Sequence, residues 1–188
     1  MGRLKYLFIH CSDTPSDRTV SILDLERWHR SPKENSDGTW VYFGEKYSKF
    51  SDMDIMDIHK GTIGNGWDRL GYSDLIHRTG VVENITPYNA DEFVSNNEMT
   101  WGARGYNSNS RHVCLSGGKG ATSDSYFFHN FTEEQWMALR SYLLETISDH
   151  PDILIGGHNQ ISYKACPGFS VIEELQIMGI PRKNWFVK

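Results

Sequence analysis

The segment Ile153-Leu154-Ile155-Gly156-Gly157-His158-Asn159-Gln160-Ile161-Ser162-Tyr163-Lys164-Ala165-Cys166-Pro167-Gly168 decides how this chain is read. Its apolar opening, Ile153 to Ile155, has the character of a short buried strand. The glycine pair is expected to break that strand and to admit close backbone approach, leaving His158 at the edge of a sheet. Cys166 follows eight residues on, and Pro167 and Gly168 set a turn behind it. A histidine and a cysteine at that separation can share one metal ion from a single loop. Two donors do not complete a zinc site, so a third has to come from elsewhere in the chain.

The N-terminal region supplies it. Lys5-Tyr6-Leu7-Phe8-Ile9 is a β-type run that ends in His10-Cys11-Ser12, and Asp13-Thr14-Pro15-Ser16 forms the loop beyond. His10, like His158, is thereby placed at a strand end facing a loop. His10, His158 and Cys166 are the best three-ligand set in the sequence. Three protein ligands suit catalytic zinc, which keeps its fourth position for water or substrate, whereas structural sites are closed by four. Neither HExxH nor a CxxC pair is present. An open zinc site polarises a carbonyl and makes a nucleophile of water, as amide hydrolysis requires. Developing oxyanion charge then wants a cation or hydroxyl donor, roles that Lys164 and Tyr72 fit.

Strands and helices interleave along the remainder. Ser21 opens a helix with Asp24 three residues on, and Ser31-Pro32 stops it. Residues 32–65 are polar with scattered aromatics. A strand or hairpin is expected near Thr39–Phe43 and a short acidic helix over Ser51–Ile58. This stretch reads as an insertion, too small for a core of its own; its aromatics would otherwise suit a sugar-stacking wall. Ser73–Arg78 reads as an inner strand, turning at Thr79-Gly80. Asp91–Thr100 is an irregular connection, Trp101–Ser110 a loop, His112–Ser116 a core strand and residues 119–130 a flexible excursion. Thr132 caps a long helix whose apolar face is Trp136, Leu139, Leu143, Leu144 and Ile147. A short helix is expected near Val171–Met178. The pattern predicts an α/β fold: one domain, residues 1–188, with a central mixed β-sheet flanked by helices and an insertion at about 32–65.

Composition narrows the function. A formal charge of −5 across 188 residues gives no reason to expect nucleic acid or an anionic membrane as partner. No run is apolar enough to span a bilayer. The N-terminus lacks the apolar core of a signal peptide, so synthesis in a cytoplasm is expected. The three cysteines form no disulfide framework, and Cys11 and Cys114 read as small buried hydrophobes.

Several stretches together resemble one family, the phage and bacterial type 2 zinc N-acetylmuramoyl-L-alanine amidases, which are related in fold to the peptidoglycan recognition proteins. They are IHCSDT around His10, RWHR at Arg30, GWDRLGY before Ser73, RGYNSNS before Arg111, VCLSGG from Val113, FTEEQ at the long helix and GGHNQISYKACPGF. The resemblance implies zinc held by His10, His158 and Cys166, with Tyr72 and Lys164 as the catalytic tyrosine and lysine. It implies hydrolysis of the amide between N-acetylmuramic acid and the L-alanine of the stem peptide by zinc-activated water. The expected setting is a phage endolysin, a monomer made in the host cytoplasm that acts on peptidoglycan after release. A non-catalytic peptidoglycan-binding module is the alternative. Two departures stand out. Many members carry histidine after the tyrosine, where this chain has Ser73-Asp74, and many carry G-x-H-A before the GYN loop, where it has Trp101-Gly102-Ala103-Arg104. Asp74 is either a polar partner near the metal or a strand residue satisfied locally.

Overall fold

A computed structural model describes residues 2–188. The elements in chain order are β1 (Gly2–Arg3), β2 (Tyr6–Cys11), α1 (Ile22–Arg30), β3 (Lys33–Glu34), β4 (Trp40–Tyr42) and β5 (Glu45–Tyr47), then β6 (Asp74–Ile76), β7 (Val82–Asn84), β8 (Phe93–Val94) and β9 (Ser110–Leu115), and finally α2 (Glu133–Asp149), β10 (Leu154–Gly157) and α3 (Val171–Ile177). They fall into two compact units, one running to Thr19 and resuming over Tyr72–Lys188, the other Val20–Gly71.

The first unit is built on a five-stranded sheet of order β10-β2-β9-β6-β7. Its first four strands run parallel, and β7 returns antiparallel from the turn at Thr79-Gly80. The central strands are buried along nearly their whole length, as strands of a parallel sheet covered on both faces are. Strand alternation divides their side chains. Leu7, Ile9, Val113, Leu115 and Ile76 join Leu139 and Leu143 of α2 in the main core. Phe8 goes to the opposite face with Phe186, where Tyr6 and Tyr106 close an aromatic cluster at centroid distances of 5.2–5.7 Å. The same alternation sends His10, His112 and Cys114 to the Phe8 face.

Helix α2 begins where its sequence predicts. Thr132 Oγ1 accepts from Gln135 N, and Gln135 Oε1 accepts from Thr132 N. Gln135 is fully buried, and its Nε2 donates to the carbonyls of Ile76 and Ser116 at the ends of β6 and β9. Asp74 is satisfied on this face: it accepts from Tyr142 Oη at 2.6 Å and from Asn84 Nδ2 at 3.0 Å. The reading of Asp74 as a partner near the metal is therefore set aside.

Three other local expectations change. Gly156 and Gly157 do not break the strand; they are its last two residues, paired with Phe8 and Ile9. They are glycines because neighbours crowd in: a Cβ on Gly157 would meet Asn159 Oδ1 and come within 2.7 Å of Val171 Cγ2. The connection 91–100 contains β8, which pairs with β1. The excursion 119–130 is pinned by Phe127, buried between Phe131 and Phe169 at centroid distances of 5.0 and 4.9 Å.

In the second unit, Ser21 caps α1 by a reciprocal box with Asp24. The β4–β5 hairpin turns at Phe43-Gly44, both at positive φ, the conformation two-residue hairpin turns demand. The acidic helix expected over 51–58 is replaced by two 3₁₀ turns, Phe50–Asp52 and Asp57–His59. Tyr42 explains the interruption. Its hydroxyl takes the amide of Met56, which a helix would direct at its own carbonyl, and also bonds His59 Nδ1 at 2.9 Å. Trp40 packs on Phe50 and Arg30 lies over Phe43, so much of the unit's aromatic content is spent on its own packing.

Candidate metal centre

Parallel strands that start in register end together, and here β2 and β10 deliver His10 and His158 side by side. Their rings lie 4.6 Å apart between centroids. The loop after His158 turns back through Cys166, whose Sγ stands 3.7 Å from His10 Nδ1. One donor atom from each of His10, His158 and Cys166 lies within 4.8 Å of the other two. This is the only such trio of candidate ligands among the described residues. All three sequence-selected ligands meet. His10 is buried, whereas His158 and Cys166 are part exposed, so the trio can be reached from solvent.

The donors suit zinc, which takes imidazole nitrogen together with thiolate sulfur. Burial, with Lys164's charge adding to it, lowers His158 to about 4, so its imidazole is neutral and ready to coordinate at physiological pH. The bond to Cys11 and burial push the Cys166 thiol well above its ordinary value. The backbone N–H of Cys11 points at Cys166 Sγ from 3.2 Å, a donor that favours the thiolate once its proton leaves.

Tyr72 joins the same place, its ring 5.2 Å from that of His10. Burial, with the surrounding cysteines contributing, holds its phenol far above the usual value. At neutral pH Tyr72 is therefore a hydrogen-bond donor and not a base. Lys164 is exposed, near enough for its charge to act on His158.

Behind the candidate ligands lies a histidine of the core strand β9. His10 Nε2 is 3.0 Å from His112 Nδ1, and His112 Nε2 is 2.9 Å from Ser110 Oγ. Ser110 Oγ in turn donates to the carbonyl of Tyr106 at 2.8 Å. His112 has no exposure, and burial takes it down to about 3. Ser73, at the position where the resemblance leads one to expect histidine, brackets this residue instead: its N donates to the His112 carbonyl and its Oγ accepts from His112 N. The available signal was a histidine inside an apolar strand, two residues from Cys114 and therefore on one face with it.

No family model matches the chain. It is 28% identical to the endolysin of Escherichia phage T7 over 167 residues, covering 88% of this chain and 81% of that one, and 27% identical to the endolysin of Enterobacteria phage T3 over the same shares. Among solved structures it is similar to the N-acetylmuramoyl-L-alanine amidase LysC from Clostridium intestinale (TM-score 0.56, 14% identity, 96% of this chain and 88% of that one). It is also similar to the Ph2119 endolysin of a Thermus scotoductus bacteriophage (0.53, 17%, 99% and 88%) and to Drosophila peptidoglycan recognition protein SA (0.57, 14%, 100% and 84%).

Proposed function

We infer that this chain, an endolysin-like protein of the amidase and peptidoglycan-recognition-protein fold, is a peptidoglycan hydrolase that cleaves the amide between N-acetylmuramic acid and the L-alanine of the stem peptide. The observation that carries the reading is the meeting of His10, His158 and Cys166, with Tyr72 against them, at the ends of two parallel strands. Two solved structures with the same fold are complexes with tracheal cytotoxin, a property of those proteins that fits a muropeptide substrate here.

The two imidazoles and the thiolate would hold zinc. When bound, zinc supplies a Lewis acid that polarises the amide carbonyl and acidifies water. Tyr72, a phenol at neutral pH, donates a hydrogen bond toward the oxygen that gains charge. Lys164 sits two residues before Cys166 and contributes positive charge on the solvent side, favouring the same charge build-up. The products are a muramic acid carboxylate and a stem peptide with a new L-alanine amino group. The protein is read as one catalytic domain working as a monomer on the cell wall of a phage's host.

Purified sacculi provide the test. Zinc-loaded protein is expected to release peptides and expose new L-alanine amino termini, detected by end-group labelling. Chelation abolishes the release, and Cys166→Ser lowers it by at least about 100-fold. Tyr72→Phe should keep its zinc and lose about 10²- to 10³-fold in rate, the cost of removing an oxyanion donor; Lys164→Ala should lose less. Zinc-loaded protein that binds sacculi and frees no amino termini would instead be a binding module.

A further inference from the structure

His112 has no place among the ligands or the catalytic pair, yet it is the most deeply buried histidine facing the site. An imidazole inside a fully buried strand is costly unless its nitrogens are bonded. A leucine there would fill space without that cost. Both nitrogens of His112 are in fact bonded, one to a hydroxyl and one to a metal ligand.

The direction of these bonds follows from one proton. A serine hydroxyl has a single hydrogen, and that of Ser110 goes to the Tyr106 carbonyl, which can only accept. Toward His112 Nε2 the serine oxygen must therefore accept, so Nε2 carries the hydrogen. A neutral imidazole protonated there presents a lone pair at Nδ1. Across the 3.0 Å contact, His10 Nε2 must then be the donor, and the lone pair of His10 is left at Nδ1, the nitrogen facing Cys166 Sγ.

We propose that Ser110 and His112 form a proton-direction lock that fixes His10 as the Nε2–H tautomer and aims its Nδ1 lone pair at the metal position. His112 is a positioning residue: it touches neither substrate nor metal and acts through His10. Partners of this kind set ring orientation and raise ligand basicity, and losing one typically costs 10- to 100-fold in metal affinity. The lock rests on the reading of the site as a zinc centre only for its consequence; the tautomer itself is a property of the metal-free protein.

The test uses two readouts. Zinc affinity is measured by competition with a chromophoric chelator for the parent, His112→Asn and His112→Phe, each checked for cooperative unfolding without metal. Asparagine places an acceptor oxygen where Nδ1 stood and is expected to stay within a few-fold of the parent. Phenylalanine keeps the ring and loses the acceptor, and should bind zinc 10- to 100-fold more weakly. Equal affinity in a folded His112→Phe protein overturns the proposal. The second readout is the ¹⁵N–¹H correlation of His10 in the metal-free parent, which needs no variant to fold. The Nε2–H pattern is expected, and the Nδ1–H pattern overturns the lock. A parent that binds no zinc defeats the functional reading instead, and the His10 tautomer then decides the lock by itself.

Discussion

For zinc to bind at the proposed site at neutral pH, the thiol proton of Cys166 has to leave. His158, lowered to about 4, is already neutral, whereas the Cys166 thiol is raised by its bond to Cys11 and by burial. Binding near pH 7 should thus release about one proton. Calorimetric titration with zinc in buffers of different ionisation enthalpy measures that number, and a value near zero would mean that Cys166 is not a ligand. The sign follows: apparent affinity climbs about tenfold per pH unit while the thiol remains protonated, since each unit supplies ten times less competing proton. The three candidate ligands were legible in the sequence because His10 and His158 each follow an apolar run, Cys166 lies in the loop eight residues after His158, and the motif resemblance joined them. His112 was not, because its meaning depends on cross-strand register. Beside Phe8 in the pairing, it is one more strand residue; next to His10 Nε2 and Ser110 Oγ, it is half of a directed chain.

Helix α2 is joined to the sheet by a side chain rather than by apolar contact alone. Gln135 satisfies the capping box and also both carbonyls where β6 and β9 end. Replacing it with methionine keeps the volume and removes three hydrogen bonds, two of them to buried carbonyls. The expected loss is about 2–4 kcal/mol, from the buried Ser116 carbonyl that loses its donor and a damaged cap, while the Ile76 carbonyl keeps the amide of Ser116. Urea unfolding of the metal-free variant reads it directly, and a change below about 0.5 kcal/mol would show that the Ser116 carbonyl finds another partner. Caps were the most legible feature at this scale: Ser21 with Asp24, and Thr132 before the long helix, signal helix starts in the chain itself. The 3₁₀ turns at 50–59 were not, since a distant hydroxyl, that of Tyr42, takes the amide that a helix would have used. Short helices have little cooperativity with which to resist such competition.

For the molecule as a whole, buried neutral histidines set the response to acid. His29 in the second unit, stacked on Trp67 and accepting from Gly71 N, is lowered by burial to about 4; His112 in the first is lowered to about 3. Unfolded, each takes up a proton near pH 6.5, whereas the folded chain refuses it until well below pH 5. The unfolded state therefore binds more protons throughout this window, and stability falls as pH drops from about 6.5 toward 4. At pH 5 the loss is about 2 kcal/mol for each of the two residues. Asp74 and Glu174, raised by burial, work in the opposite sense and soften the slope. Because Val20–Gly71 spans only about 50 residues, a size at which a core is marginal, it is expected to unfold with the rest in one transition. Urea titrations of metal-free protein at pH 7 and pH 5 should show that single transition moving to lower denaturant. His29→Gln should flatten the shift by about 2 kcal/mol, the share of one non-titrating site. A midpoint that does not move between the two pH values would mean the histidines take up protons without unfolding. Two separate transitions would make Val20–Gly71 a domain in its own right.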